Sequence, residues 1–575
     1  MSIFILNDAD SLGRVLTVDT ATVTVEVEDI AKLRRLQVNR LTILQSSKPG
    51  QYLIGIITRI TRSGTRDEEE KTNGTQAQID QVKITLIGTF ADRLGLRENV
   101  FMRTLETVPE IDALCFPMEG HHLTGFMSVI ADVGNATQKL SLGHYTLDDT
   151  AEAFLNGNKF FQRHAIVVGG TGSGKSWTTA RIVEQAARLP QANAIVFDIH
   201  GEYEPLRGDG IQHFRIARPS DLGSPAGLEE GVLYLPYWLL GYEALVSLFV
   251  DRSDQNAPNQ AMIISRVINA KKRELLETGQ HDQVLANFTI DSPVPFDLEA
   301  VLTQIRHLDS EMVPGTKAGT QKQGEFHGRL SRMIARLEAK VTDRRLGFLF
   351  APPAIAREMD WLKHLVRKLM AGSRNQGGGG VKVIDFSEVP SDILPLMVSM
   401  VAKLAFSVQQ WRENAERHPV AILCDEAHLY IPERAAGETS SDISVGIFER
   451  IAKEGRKYGV GLVVISQRPS EVNRTVLSQC NNLVAMRLTN GEDQRVVRRL
   501  LPDSLGGFGD LLPVLDTGEA LVVGDASLLP NRIRVSEPDC KPNSGTVDFW
   551  DCWSRNEDLP VLEDAVDAWR RQSMV

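Results

Sequence analysis

Gly169-Gly170-Thr171-Gly172-Ser173-Gly174-Lys175-Ser176 is the stretch that decides the fold. It fits the spacing GxxxxGK[ST], and its surroundings fit as well. Ala165-Ile166-Val167-Val168 reads as a short apolar strand ahead of it, and Trp177–Leu189 reads as a helix behind it. A strand, a glycine-rich turn and a helix N-terminus make an anion cradle, because backbone N–H groups point inward and the helix dipole favours negative charge. The expected nucleotide-binding residues are Gly170, Thr171, Gly172, Ser173, Gly174, Lys175, Ser176 and Trp177. Lys175 would reach the β- and γ-phosphates of ATP, and Ser176 would ligate Mg²⁺.

Outward from this loop, near-continuous apolar runs alternate with helical segments. The runs are Ala165–Val168, Ala194–Phe197, Val381–Phe386, Val420–Cys424, Gly461–Ser466, Leu483–Met486 and Ala520–Val523. Such runs imply a parallel sheet covered on both faces, with its chemistry at the carboxyl ends of the strands. The fold class is therefore α/β. Residues 1–150 read differently. Thr22–Glu28 alternates strictly, with Val23, Val25 and Val27 on one face, and Tyr52–Ile60 and Gln81–Ile87 read as further strands. Polar Ser63–Gln78 suits a long hairpin loop. Short strands at this spacing suggest a small β-barrel, although a sandwich shares the pattern.

The expected division is a barrel at 1–150, a first part of the ATPase core at 151–229, a helical insertion at 230–375, a second part at 376–535 and a tail at 536–575. Ala261–Leu276 and Phe326–Val341 carry the helical pattern of the insertion. Lys271-Lys272-Arg273 and Arg344-Arg345 are its basic spots, and Asn375–Gly380 is a glycine-rich loop. The tail contains Phe549-Trp550 and Trp553. A chain of 575 residues with 42% hydrophobic and 24% charged content is a soluble multidomain protein by composition. No apolar run is long enough for a bilayer, the N-terminus lacks a basic region of the signal-peptide kind, and five cysteines are scattered without a CxxC pair. These features point to a reduced, cytoplasmic protein with no membrane partner. The net charge of −11 argues against coating nucleic acid, yet leaves room for a ring with basic groups confined to its channel.

Ala421-Ile422-Leu423-Cys424-Asp425-Glu426 is a strand ending in paired carboxylates. Asp425 would hold Mg²⁺ opposite Ser176, and Glu426 would orient or deprotonate the attacking water, which is a poor nucleophile unaided. A surface Asp-Glu pair has the same spelling; the P-loop beside it decides between them. Gln467 ends the run Gly461–Ser466, where its amide can meet the γ-phosphate or the attacking water, or else serve local backbone. Asp198, ending another run, would either act outside the direct metal ligands or position Lys175. Arg456 and Arg163 are candidates for completing a neighbouring subunit's site, since phosphoryl transfer spreads negative charge that an arginine stabilises. Arg374, Arg487, Arg495, Arg498 and Arg499 are candidates for phosphate contacts to DNA, against the plain reading of an exposed basic helix face or a subunit interface.

Taken in order, FQRHAIVVGGTGSGKS, FDIHGEY, ILCDEAH, KEGRKYGVGLVVISQRPSEV, RLTNGEDQRVVRR and LPVLDTGEALVVGD resemble the HerA family of ring ATPases, within the HerA–FtsK group of P-loop translocases. The N-terminal GQYLIGIITRITR resembles the start of the barrel in such proteins. The resemblance implies a RecA-like core, a homohexamer, ATP-driven movement of double-stranded DNA, and a γ-phosphate sensor at Gln467. It implies that Arg456 and Arg163 contact nucleotide at a subunit interface, with the cis or trans role of each left open. It also implies a separate effector, a nuclease or a sirtuin-like NADase, docking on the N-terminal barrel, in antiphage defence or DNA-end processing. Two function classes follow: a DNA-translocating motor, or an ATP-regulated scaffold that assembles the effector. A conjugation motor of the same group commonly carries membrane anchors, for which this sequence offers no segment.

Overall fold

The computed structural model describes all residues except 1–2, 28, 39, 63–79, 96, 132–137, 225–226, 316–318, 372–379, 435–439, 502–508, 546, 556–561 and 572–575. Arg374, the loop Ser63–Gln78 and most of the glycine tract 375–380 lie outside the described residues. Two compact units emerge: Met1–Phe160 with Gly518–Ser536, and Phe161–Thr517 with Glu537–Val575.

In the first unit six antiparallel strands close on themselves. Thr22–Glu26 pairs with Gly13–Asp19, which pairs with Leu114–Pro117; the circuit continues through Leu41–Gln45, Gln51–Thr61 and Gln81–Leu94. The pairing of Thr22–Glu26 with Gln81–Leu94 completes the barrel, and Arg97–Met102 adds to the outside of the latter strand. Closure removes the exposed edges that an open sheet of this size would leave. Alternation explains the inside: Val23, Val25 and Val27 are buried among Leu44, Leu53, Ile57, Val82 and Ile84. This settles barrel over sandwich.

Two hairpins finish that unit, Lys139–Tyr145 with Asp148–Asn156 and Glu519–Gly524 with Ser527–Val535. They join through antiparallel pairing of Ile533 with Tyr145. The structure thus assigns the run Ala520–Val523 differently from expectation. It pairs antiparallel with Ser527–Val535, and residues 518–536 cluster with the first unit. The run is apolar because it is buried, and burial alone carries no strand direction.

The second unit is built on parallel strands: β1 (Ala165–Val168), β2 (Asn193–Asp198), β3 (Ile211–Ile216), β4 (Val232–Leu233), β5 (Gly380–Asp385), β6 (Val420–Cys424), β7 (Val460–Ser466) and β8 (Asn482–Ala485). Their order is β4-β3-β5-β2-β6-β7-β1-β8, every described pairing parallel. Strands β1, β2, β7 and β8 are buried along their whole length, so both faces are covered, as their unbroken apolar sequences require. The strand β3, with the polar sequence IQHFRI, has no such signature.

Between β4 and β5 lies the helical insertion. Its main helices are Tyr242–Phe249, Ala257–Thr278, Leu298–Ser310, Ser331–Thr342 and Trp361–Met370. Apolar residues at helical spacing, such as Ile263, Ile264, Val267 and Ile268, turn inward. Lys272, read as part of a basic spot, is instead fully buried, its ammonium donating to the carbonyls of Ile290 and Ser292 at 2.7 Å each. In the tail, Phe549–Ser554 is a short helix with Phe549, Trp550 and Trp553 exposed.

Candidate functional site

The carboxyl end of β1 runs into the glycine-rich turn, and helix α1 (Lys175–Ala187) starts directly behind it. Gly172 and Gly174 sit at φ +71° and +104°, a region that side chains other than glycine rarely adopt. A Cβ at Gly169 would lie 2.3 Å from Ser173 Oγ. Among the described residues no side chain caps the first turn of α1, which leaves its N–H groups for an anion. Ser173 Oγ is buried without a hydrogen-bond partner among the described residues, as expected of a cradle shaped around a polar guest.

Lys175 begins α1 and is 8% exposed. Its ammonium lies 3.3 Å from Asp425 Oδ1 and 3.0 Å from Glu426 Oε1, at the carboxyl end of β6. Burial alone would lower the Lys175 pKa; the Asp425 and Glu426 charges outweigh it and hold the pKa above the ordinary lysine value. Asp425 Oδ1 also accepts from the Glu426 backbone N–H at 2.9 Å. Its Oδ2 accepts from the Tyr203 hydroxyl at 2.9 Å, and its carbonyl from the Tyr430 hydroxyl at 2.8 Å. Glu426 is buried with φ +44° and ψ +44°. That left-handed backbone costs a non-glycine residue roughly 1–2 kcal/mol, and such strain gathers at functional sites. Its Oε2 lies 3.3 Å from His428 Nδ1, which in turn lies 3.3 Å from Ser466 Oγ at the end of β7.

Strand β7 lies between β1 and β6, so Gln467, which follows it, emerges between the P-loop and the carboxylates. Gln467 Oε1 accepts from Thr171 Oγ1 of the P-loop at 3.0 Å. Thr517 Oγ1 donates to the Gly172 carbonyl at 3.4 Å. The structure therefore brings Thr171, Lys175, Asp425, Glu426 and Gln467 to one end of the sheet. Ser176 and Trp177 follow Lys175 on α1, both half-buried. Lys541 of the tail lies over the Trp177 ring, 5.0 Å from its centroid. The tail is fastened there: Glu184 on α1 accepts from the Asp539 and Cys540 N–H groups at 3.0 and 2.8 Å.

Asp198 ends β2 and turns its carboxylate onto its own loop. Oδ1 accepts from Glu202 N at 3.0 Å and Oδ2 from Tyr203 N at 2.9 Å. Burial, reinforced by the Asp425 charge, pushes its pKa up to about 7 against those two bonds. An acid whose pKa rises on folding binds its proton more tightly in the native state. Its contribution is fully present below the unfolded value near 4 and is lost as pH rises to about 7. Asp198→Asn should therefore flatten the fall in unfolding free energy between about pH 4 and 7 relative to the wild type. Denaturant titrations across that window check it; parallel curves for the two proteins would remove the effect.

Arg163 and Arg456 lie elsewhere. Arg163 precedes β1 and Arg456 precedes β7, strands that pair in parallel with Ala165 opposite Val463. Both thus sit at the amino edge of the sheet, whereas the P-loop leaves the carboxyl edge. At about 3.3 Å per residue, Arg163 is about 20 Å of strand from Gly169. Between them His164 fixes the edge, its Nδ1 accepting from Leu462 N at 3.0 Å, and burial pushes its pKa down to about 4, so the ring is a neutral acceptor. Arg456 is exposed and Arg163 half-buried. Arg487 follows β8, its carbonyl accepting from Gly170 N at 2.8 Å. Helix α2 (Gly491–Leu500) comes next, with Arg495, Arg498 and Arg499 exposed and Arg498 paired to Asp510 at 3.2 Å.

Sequence reasoning missed Tyr203, His428 and Tyr430. Tyr203 and His428 stand inside quoted motifs, FDIHGEY and ILCDEAH, but their partners are set by the sheet and not by spacing.

A parallel sheet with this loop after one strand, and paired carboxylates after the next strand but one, defines a RecA-like P-loop ATPase core. Residues 140–405 match the family model described as "Helicase HerA, central domain". The DNA double-strand break repair helicase HerA of Pyrococcus furiosus is 23% identical over 476 residues, covering 75% of this chain and 74% of that one. The protein of the same name from Sulfolobus acidocaldarius is 23% identical over 415 residues, 71% of each chain. Among solved structures, VirB4 of Thermoanaerobacter pseudethanolicus aligns with 70% of this chain and 97% of its own, at 16% identity and a TM-score of 0.45. The bacterial conjugative coupling protein TrwB aligns with 72% of this chain and 93% of its own, at 13% identity and a TM-score of 0.42. Among the described residues no helix is long and apolar enough to cross a membrane.

Proposed function

We propose that this chain is one subunit of a homohexameric motor that hydrolyses ATP to move double-stranded DNA. The observation that carries the reading is the buried cluster of Lys175, Asp425 and Glu426 at the P-loop, with Arg163 and Arg456 at the opposite edge of the same sheet. The cluster fits a magnesium nucleotide. Lys175 is held by carboxylates in place of phosphates, Ser176 and Asp425 are hard oxygen donors suited to Mg²⁺, and the first turn of α1 is uncapped. When bound, the metal neutralises charge on the phosphates. Glu426 takes the proton of the attacking water, and Lys175 turns from the carboxylates to the β- and γ-phosphates. Gln467, already bonded to the P-loop through Thr171, reports the γ-phosphate to β7.

The placement of the two arginines at the edge away from this pocket supports a role for them at a neighbour's pocket, which a ring would supply. Arg487, Arg495, Arg498 and Arg499 supply candidate phosphate contacts, as does Arg374. Duplex DNA is expected to raise the ATPase rate. Binding should weaken by more than about 100-fold between about 50 and 200 mM salt, because counterion release dominates non-specific affinity. ATPase assays with and without duplex at several salt concentrations check this; an intact ring indifferent to DNA would remove the motor reading.

The closed N-terminal barrel favours a second role in the same assembly. It is a folded module beyond the needs of the ATPase sheet, and it suits docking of an effector, a nuclease or a sirtuin-like NADase. Lys175→Ala, by abolishing ATP binding, should then change effector assembly as read by size-exclusion chromatography of the mixed proteins; unchanged assembly removes nucleotide control.

A further inference from the structure

We propose that Tyr203 is a positioning residue that fixes the carboxylate of Asp425 for the metal. The inference rests on the nucleotide-site reading above. Tyr203 is fully buried, and its hydroxyl donates to Asp425 Oδ2 at 2.9 Å. The other oxygen, Oδ1, accepts from Glu426 N at 2.9 Å and from Lys175 at 3.3 Å. Each carboxylate oxygen therefore has its own anchor, and the plane of the group is set. Only the Lys175 contact must change when phosphates arrive, because that ammonium has to serve them. The Tyr203 and Glu426 contacts survive the exchange. Tyr203 keeps Oδ2 engaged and leaves Oδ1 to the side from which Lys175 departs.

The placement of Tyr203 is itself built. Its backbone N–H and that of Glu202 are both held by Asp198. Gly201 at φ +71° allows the tight turn between them. The Glu202 carbonyl accepts from Asn543 N of the tail at 2.7 Å. A phenylalanine would fill the same space without the hydroxyl donor. Ligand-orienting hydrogen bonds of this kind are worth about 10–100-fold in metal affinity.

The test uses the full-length protein loaded with a non-hydrolysable ATP analogue, with Mn²⁺ as the probe. Mn²⁺ affinity is read by electron paramagnetic resonance, and ATPase rate is read against Mg²⁺ concentration. Tyr203→Phe should weaken Mn²⁺ by about 10-fold or more and raise the half-saturating Mg²⁺ in parallel. Analogue affinity without metal should match the wild type. Tyr237→Phe is the control for losing a buried hydroxyl, since Tyr237 donates to the Phe296 carbonyl at 2.6 Å inside the insertion; it should leave Mn²⁺ affinity unchanged. Wild-type Mn²⁺ affinity in Tyr203→Phe, or an equal loss in both variants, overturns the inference. Failure of the wild-type protein itself to bind Mn²⁺ with the analogue would instead overturn the nucleotide-site reading.

Discussion

Glu426→Gln is expected to bind ATP as the wild type does and to hydrolyse it at least about 100-fold more slowly, the scale of a lost general base. The substitution isolates chemistry from architecture. Glutamine has the same shape, and its amide oxygen can still accept from Lys175, 3.0 Å from Glu426 Oε1. The left-handed backbone at φ +44° strains either residue alike. What is lost is the charge and the basic lone pair on the side facing His428. Fluorescent-nucleotide binding and phosphate release measured on the same preparation separate the two steps. Near-normal turnover with normal binding would show that another group takes the proton.

The second large effect belongs to Arg456. Arg456→Ala should lower turnover by about 1,000-fold, in the range of arginines supplied to phosphoryl transfer from outside a subunit, with nucleotide binding retained. The geometry makes a sharper demand. A subunit lacking Arg456 keeps a complete P-loop and carboxylate pair of its own, since these lie at the other edge of its sheet. A Glu426→Gln subunit keeps a complete arginine edge. Mixing the two inactive variants should therefore restore ATPase activity at junctions where the intact halves meet. Mixtures that stay as inactive as their components, in rings shown to exchange subunits, would place Arg456 outside the neighbour's site.

The legible part of this protein is the part written in contiguous residues. The P-loop, the strand ending in Asp425-Glu426 and the Gln467 strand each declare themselves within a short window, because a backbone turn or strand end fixes their geometry locally. The barrel was legible through the alternation at Val23, Val25 and Val27. What depends on tertiary pairing was not. Nothing near Tyr203 in sequence announces a bond to Asp425, because β2 and β6 become neighbours only when the sheet forms. Strand β3 stayed hidden because its polar sequence has no buried run, and Lys272 reads as basic surface while its ammonium is spent on two carbonyls. Ala520–Val523 shows the opposite failure: its burial was plain and its direction was not.

That return of 518–536 to the first unit sets the order in which the molecule can be made. The six barrel strands lie within the first 117 residues and pair among themselves, so they can close early on the ribosome. Lys139–Tyr145 cannot; its antiparallel partner, Ser527–Val535, emerges only after the whole ATPase sheet has been synthesised. Until then a β-edge stands open, and open edges recruit other chains. Nascent chains translated side by side therefore pass through a long window in which mispairing between copies competes with completion of each.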